Sequence, residues 1–316
     1  MSPIQKAAEG TISESLEYGR RALLRAGIEE AREESARLLM NLSGLTRVDF
    51  QLKATEFFSP EIQERFSVLL EKRKRGTPLA YLLHEADFWQ ETLFVNKHCL
   101  IPRPETEILV ESVLQALRRR GKGSFSMMDV RKKEKQVTVT KQKSDCHLFF
   151  LDIGTGSGAI AIAILREFQN AHGTLLDISL PALEVAGKNL KRYSLENRAR
   201  LVRGDLFQSF RQDEQWDVIV SNPPYLAAAD WETVQEELKA EPRIALDGGN
   251  DGLDFYRRII DEAKGHLSPR GMLALEVGQG QAETVSTWLR EAGYDNIQRL
   301  RDYSGVERVL LAGRGN

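Results

Sequence analysis

The stretch Asn222-Pro223-Pro224-Tyr225 has the chemistry most specific to a task. A planar NH2 group carries two N–H donors, and an Asn side-chain oxygen together with a backbone carbonyl can accept both. Pro223 has no N–H and a fixed φ, so it holds that carbonyl in a rigid turn. Tyr225 adds a flat aromatic wall. Such a corner grips an amide or amino nitrogen and aims it. It follows Val218-Ile219-Val220, an apolar β-branched run that reads as a buried strand of a parallel sheet. Ligands of open α/β sheets bind at the carboxyl ends of the strands, where this corner would stand. Asn-Pro and Pro-Pro also end strands with no further role, so a second motif has to support the functional reading.

That motif lies upstream. The strand Leu148-Phe149-Phe150-Leu151 runs into Asp152-Ile153-Gly154-Thr155-Gly156-Ser157-Gly158 and then into the helical run Ala159 to Ile164. Alternate glycines let the chain turn tightly and let a ligand approach where a Cβ would clash. The helix that follows offers free N–H groups. Gly154, Gly156 and Ala159 also fit the dinucleotide pattern, so the loop alone indicates a nucleotide-like cofactor without saying which. Three acids narrow the choice. Asp152 ends the first strand, where it would repel a pyrophosphate and could pair with an ammonium group. Asp177 ends the next apolar run, Gly173 to Leu176, where a ribose-binding acid is expected. Asp205 follows the third strand and could accept from an adenine amino group. Each could equally be a solvated loop acid or a helix cap, as Asp177 ahead of Leu180-Pro181-Ala182 illustrates.

The order Asp-x-Gly-x-Gly-x-Gly, Asp177, Asp205, Asn-Pro-Pro-Tyr resembles the class I S-adenosylmethionine-dependent methyltransferases that act on amide or exocyclic amino nitrogens. The rest of the chain is similar to one branch, the release factor glutamine methyltransferases. The similarity runs through Thr77-Pro78-Leu79-Ala80-Tyr81-Leu82 and Leu100-Ile101-Pro102-Arg103-Pro104-Glu105-Thr106-Glu107. Downstream it includes Glu241-Pro242-Arg243-Ile244-Ala245-Leu246, Gly252-Leu253-Asp254-Phe255-Tyr256, Gly271 to Gly278 and Gly305 to Val309.

The resemblance implies S-adenosylmethionine as cofactor and, as substrate, the glutamine of the Gly-Gly-Gln tripeptide in peptide chain release factors. It implies that Asp152 and the loop Gly154, Thr155, Gly156, Ser157 and Gly158 line the methionine and ribose, that Asp177 binds the ribose hydroxyls, and that Asp205 and Leu206 border the adenine. Asn222 would border the cofactor and, with Pro223, accept the two amide hydrogens. Pro224 and Tyr225 would pack on the substrate, and water would take the released proton. Arg103 would stand beside the pocket, as a substrate contact or as a salt-bridge partner. Phe88 would wall the glutamine slot, or be core.

Pocket chemistry of this kind also accepts the amino group of adenine, so an N6-adenine methyltransferase on DNA or RNA is an alternative. A formal net charge of −2 and the lack of a basic recognition domain count against stable nucleic-acid binding. A non-catalytic ribosome-associated protein and a nicotinamide oxidoreductase are further alternatives. An intact corner speaks against the first, and Asp152 beside the loop against the second.

Composition bounds the rest. At 316 residues the chain is long for one core, so two domains are expected. No apolar run reaches the roughly 20 residues that span a bilayer. Met1 to Lys6 lacks a signal-peptide pattern. Two cysteines, Cys99 and Cys146, fit a reducing compartment. A cytoplasmic monomer without a metal site is expected, since no Cys/His cluster has ligand spacing.

The elements that would position these residues form an α/β chain: a doubly wound, Rossmann-like methyltransferase sheet with a small N-terminal helical domain joined by a β-hairpin. Residues 1–85 read as helices and as the substrate-docking domain. Thr11 to Glu14 fits a capping box, and Ser59-Pro60 opens a helix with a stripe of Ile62, Phe66, Leu69 and Leu70. Residues 86–104 read as a hairpin linker and 105–316 as the methyltransferase domain. Within the latter, 120–147 is a polar, Lys/Arg-rich insertion, read as solvated or as a contact with ribosomal RNA or the substrate protein. Ile297 to Leu300 and Val309 to Leu311 read as a final antiparallel pair turning at Asp302 to Gly305.

Overall fold

A computed structural model describes residues 10–120 and 147–315. The basic insertion therefore lies almost wholly outside the described residues. The chain divides into two compact units, one comprising the chain to Glu85 together with Gln235–Ala240, the other Ala86–Val234 with Glu241–Asn316.

The first unit is helical. In α1 (Ile12–Arg25) the capping box forms, with Glu14 N–H donating to Thr11 Oγ1 at 3.2 Å and Thr11 N–H donating back to the Glu14 carboxylate at 2.8 Å. Then come α2 (Ala31–Ser43), α3 (Arg47–Leu52), α4 (Pro60–Lys74) and α5 (Leu79–Leu83). Ser59 caps α4, and Pro60 takes the first turn, where its missing N–H is no loss. Ile12, Leu23, Leu38, Leu39, Phe66 and Leu70 form the core. Arg73 is buried there, bonded to Glu34 at 2.6 and 2.9 Å. It also donates at 2.6 Å to Glu237, on the short returning helix Glu236–Lys239.

The second unit opens on a hairpin of β1 (Glu85–Phe88) and β2 (Glu91–Phe94), followed by α6 (Pro104–Arg120). From β3 (Leu148–Ile153) strands and helices alternate through α7 (Ala159–Glu167), β4 (Ala171–Asp177), α8 (Leu180–Arg192), β5 (Ala199–Arg203) and β6 (Trp216–Ser221). Beyond β6 come α9 (Asp254–His266), β7 (Leu267–Glu276), α10 (Ala282–Glu291), β8 (Asp295–Arg301) and β9 (Glu307–Gly313). The seven strands form one sheet in the order β5-β4-β3-β6-β7-β9-β8. The first five are parallel, and β9 enters antiparallel between β7 and β8. Side chains alternate between faces, as a strand requires. Val218 and Val220 pack with Leu109, Val113 and Ile164 on one side, while Ile219 packs with Tyr256, Ile259 and Leu289 on the other.

From β3 the chain first builds outward through β4 and β5, then returns to build the other half from β6. The crevice where this direction reverses, between the carboxyl ends of β3 and β6, is where doubly wound sheets bind ligands. Register aligns those ends, because Ile153 stands opposite both Leu176 and Ser221. The loop after β3, Asp177 and Asn222 thus leave the sheet at one level. Among the described residues no helix is long and apolar enough to cross a membrane.

Candidate active site

A cavity of about 210 Å³ opens at that crevice. Gly154 and Gly156, Asp177, Asp205 and Leu206, and Asn222, Pro223 and Pro224 all line it. The glycine loop and the Asn-Pro-Pro corner, 66 residues apart between Gly156 and Asn222, therefore share one wall.

The loop is shaped by its glycines and held by acids. Gly154 and Gly156 have φ of 70° and 56°, and a Cβ on Gly154 would meet only open space. Backbone polar groups there can approach a ligand without a side chain between. Asp177 Oδ2 accepts the Gly156 N–H at 2.9 Å and its Oδ1 accepts the Ser179 N–H at 2.9 Å. Burial raises the Asp177 carboxyl, against the lowering effect of these amide donors. Asn189 of α8 ties the loop from behind, donating to the carbonyls of Ser157 and Phe94 at 2.9 Å each. The wall suits an adenosine-type cofactor. There is glycine-lined backbone, an acid at the end of β4, and the apolar Ile178, Leu206 and Ile244 on the same wall.

Asp152 departs from its expected setting. It is fully buried and absent from the cavity wall. Its Oδ2 accepts the Thr155 hydroxyl at 2.6 Å, and Oδ1 has no partner. Burial pushes the carboxyl up to about 7, with the Asp177 charge adding to the rise. Thr155, Ser157 and Gly158 are likewise off the wall, because a loop of alternating positive-φ glycines turns its intervening side chains into the fold. Asp205 lines the cavity, but its Oδ2 pairs with Arg258 Nη2 at 2.8 Å, a partner nothing in the sequence indicated. Leu206 is at φ 47°, a left-handed conformation that costs a non-glycine residue about 1–2 kcal/mol. That strain sits on the cavity wall.

At the corner, Asn222 Nδ2 donates to Thr106 Oγ1 at 3.0 Å. The Glu276 carboxyl lies beside Thr106 and Asn222, whose donors favour its charged form. Glu276 is 1% exposed, and burial pushes its carboxyl up to about 7 despite these donors. Asn222 Nδ2 thus faces Thr106, which leaves Oδ1 on the opposite side of the amide. Tyr225 is half-buried against the second face's core and off the cavity wall. Burial raises its phenol to about 12, so it is neutral. Gln281 Nε2 holds the Tyr225 carbonyl at 3.0 Å, and a Cβ on Gly252 would lie 2.4 Å from that oxygen.

Two expected substrate contacts are elsewhere. Phe88 is 2% exposed, packed with Leu93, Leu109 and Ile160 in the core, because β1 alternation turns it inward. Arg103 pairs with the buried Glu241, whose other oxygen accepts the Ile101 N–H at 2.9 Å. It is the salt-bridge partner, and its place is to join two loops.

Comparison with known proteins follows this geometry. The Methyltransferase small domain family matches residues 123–250, and the PrmC N-terminal domain family matches residues 14–83. The chain is 36% identical over 301 residues to a release factor glutamine methyltransferase of Geobacter sulfurreducens, covering 95% of each. It is 33% identical to one of Caulobacter vibrioides, covering 90% of each, and 35% identical to one of Moorella thermoacetica, covering 96% of this chain and 99% of that one. The chain belongs to the release factor glutamine methyltransferase family. The fold has a counterpart in a crystal structure of the hMettl16 catalytic domain in complex with the MAT2A 3′UTR hairpin 6. That match has a TM-score of 0.52 at 14% identity, covering 80% of this chain and 82% of that one, and it speaks to the fold alone.

His98, Cys99 and Leu100 also line the cavity from the segment after β2, as do Ala182, Phe255, Arg258 and Ile259. Sequence reasoning missed them. Leu100 and Phe255 lie in the stretches that resemble the family, but no residue pattern marked either as facing a ligand. Glu276 stood in the Gly271 to Gly278 stretch with nothing to link it to Asn222.

Proposed function

We propose that this protein transfers a methyl group from S-adenosylmethionine to the side-chain amide nitrogen of the glutamine in the Gly-Gly-Gln motif of peptide chain release factors, in the cytoplasm. The observation that carries the reading is the single cavity walled by both the glycine loop and the Asn-Pro-Pro corner. Relatives matched over nine-tenths of this chain act, by their names, on release factor glutamine. They favour this reading over a nucleic-acid or non-catalytic role.

When bound, S-adenosylmethionine supplies an electrophilic methyl group. Gly154 and Gly156 would cradle it, Asp177 would accept from its ribose hydroxyls, and Asp205 with Leu206 would border its base. A carboxamide nitrogen is a poor nucleophile, because its lone pair is delocalised into the carbonyl. Asn222 Oδ1 and the Pro223 carbonyl would accept its two hydrogens, raise electron density on nitrogen and fix its direction. These contacts strengthen as the nitrogen gains positive charge, which is the condition for lowering the barrier. Pro223 keeps its carbonyl in place through its fixed φ, and the Gln281 bond to Tyr225 anchors the far end of the corner. Tyr225, off the cavity wall, would brace the corner through its packed ring. The first unit, about residues 1–85, would dock the release factor.

The test is incubation with labelled S-adenosylmethionine and purified release factor, with the modified residue mapped. Label on the Gly-Gly-Gln glutamine is expected. Label on nucleic acid alone, or none, ends the reading.

A further inference from the structure

Asn222 is useful to a substrate only in one of its two amide orientations. With Oδ1 toward the cavity it accepts an N–H. Rotated by 180° about its last bond, it presents NH2 to another NH2, and the grip is lost. Something must choose between two states of nearly equal shape.

The choice is built behind the corner. Ser221 pairs with Leu275 in the sheet register, so Asn222, just past β6, and Glu276, the last residue of β7, follow side by side. Thr106, from the first turn of α6, is buried between them. Its oxygen accepts from Asn222 Nδ2 at 3.0 Å, and the donors of both residues stabilise the charged form of the Glu276 carboxyl beside them. In its ionised form, taken above about pH 7, this carboxyl offers acceptors only. Beside it an Asn oxygen is repelled and an Asn NH2 attracted. Glu276 itself is 1% exposed, and its Oε2 has no hydrogen-bond partner. Burying a carboxylate with an idle oxygen lowers stability, and a neutral isostere would be easier to bury. Packing alone does not call for it.

We propose that Glu276 and Thr106 are positioning residues that lock the Asn222 amide with Oδ1 toward the substrate. The inference rests on the reading of Asn222 as the acceptor for the glutamine amide, and it extends that reading to two residues that touch neither substrate nor cofactor. Thr106 passes the preference on through its hydroxyl, and its methyl group is incidental. A glutamine at 276 could donate to the Asn222 oxygen and so would permit the unproductive orientation.

The test compares Thr106→Val, Thr106→Ser, Glu276→Gln and Asn222→Ala in the full-length protein. The probes are purified release factor and labelled S-adenosylmethionine, and Tm and cofactor Kd are measured alongside. Thr106→Val keeps shape and loses the hydroxyl. It is expected to lower kcat by roughly 10- to 100-fold with Tm and cofactor Kd unchanged. Thr106→Ser is expected to keep most of the rate. Glu276→Gln is expected to fall like Thr106→Val while being no less stable. Adding Thr106→Val to Asn222→Ala is expected to change nothing further. If Thr106→Val and Glu276→Gln turn over at the wild-type rate while Asn222→Ala is inactive, the positioning role is overturned and the reading of Asn222 stands. If Thr106→Val and Thr106→Ser fall alike, the hydroxyl is not the reason and the proposal is overturned. If Asn222→Ala itself works at the wild-type rate, the underlying reading is overturned with it.

Discussion

Asp177 Oδ2 accepts the Gly156 amide at 2.9 Å, so the acid ending β4 holds the loop that follows β3. This bond couples cofactor affinity to loop shape. Asp177→Ala removes the acceptor and, on the proposed reading, the ribose contact. Its cofactor Kd, read by titration calorimetry, is expected to rise at least about tenfold, or ~1.4 kcal/mol. Gly156→Ala is expected to act alike, since a Cβ at φ 56° is strained. An unchanged Kd in both variants removes the loop from the cofactor site.

On the proposed reading, Asn222→Ala separates chemistry from binding. Its side chain lines the cavity, with Nδ2 occupied by Thr106. Loss of one preorganised transition-state contact typically lowers kcat by about 10²–10³. That loss is expected with cofactor Kd within threefold of wild type, measured by single-turnover kinetics and calorimetry.

Asp152 gives a pH signature. Its carboxyl is raised from 3.8 to about 7 in the folded protein by burial. A carboxyl raised on folding binds more protons folded than unfolded between those values. Its favourable contribution is complete below about pH 4 and is lost as pH rises through about 7. Asp152→Asn removes the charge and keeps the shape. The variant without cofactor is expected to gain stability over wild type at pH 8, with the gain shrinking toward zero at pH 4. Urea midpoints at the two pH values decide it, and a gain independent of pH contradicts the assignment.

The Arg73 network tests the first unit. Arg73 is 4% exposed and bonded to Glu34 and Glu237. Arg73→Met leaves the Glu34 charge buried without its partner and is expected to lower stability by about 3–5 kcal/mol. Glu34→Leu added to it is expected to recover much of that loss. Chemical denaturation of the single and double variants measures both.

Much of the fold was legible in local patterns. The Thr11–Glu14 capping box, the Ser59-Pro60 helix start and the strand ending at Val220 each follow from neighbours in sequence, and they form as expected. The antiparallel pair of β8 and β9 was legible from its turn and forms as expected, but the insertion of β9 between β7 and β8 was not, because pairing between strands separated by other elements leaves no periodic trace. Nor was the membership of Gln235–Ala240 in the first unit, a short polar stretch without helix-length periodicity.

The site divides the same way. Glycine spacing and the Asn-Pro-Pro-Tyr run name their own chemistry, since a positive φ, a missing N–H and a paired acceptor are properties of residue types. Which side chains face the cavity is different. Asp152, Thr155 and Ser157 turn inward while Gly154 and Gly156 face out, a consequence of backbone dihedrals. Phe88 goes to the core and Arg103 to Glu241, because burial and charge pairing are satisfied by whichever elements arrive next to them. Sequence alone determined that this chain carries a nucleotide-type loop and a rigid Asn-Pro-Pro-Tyr turn with the acceptors an amide would need. Only the tertiary structure brought Thr106 and Glu276 behind Asn222, since strand register and helix packing join residues separated by 116 and 54 positions.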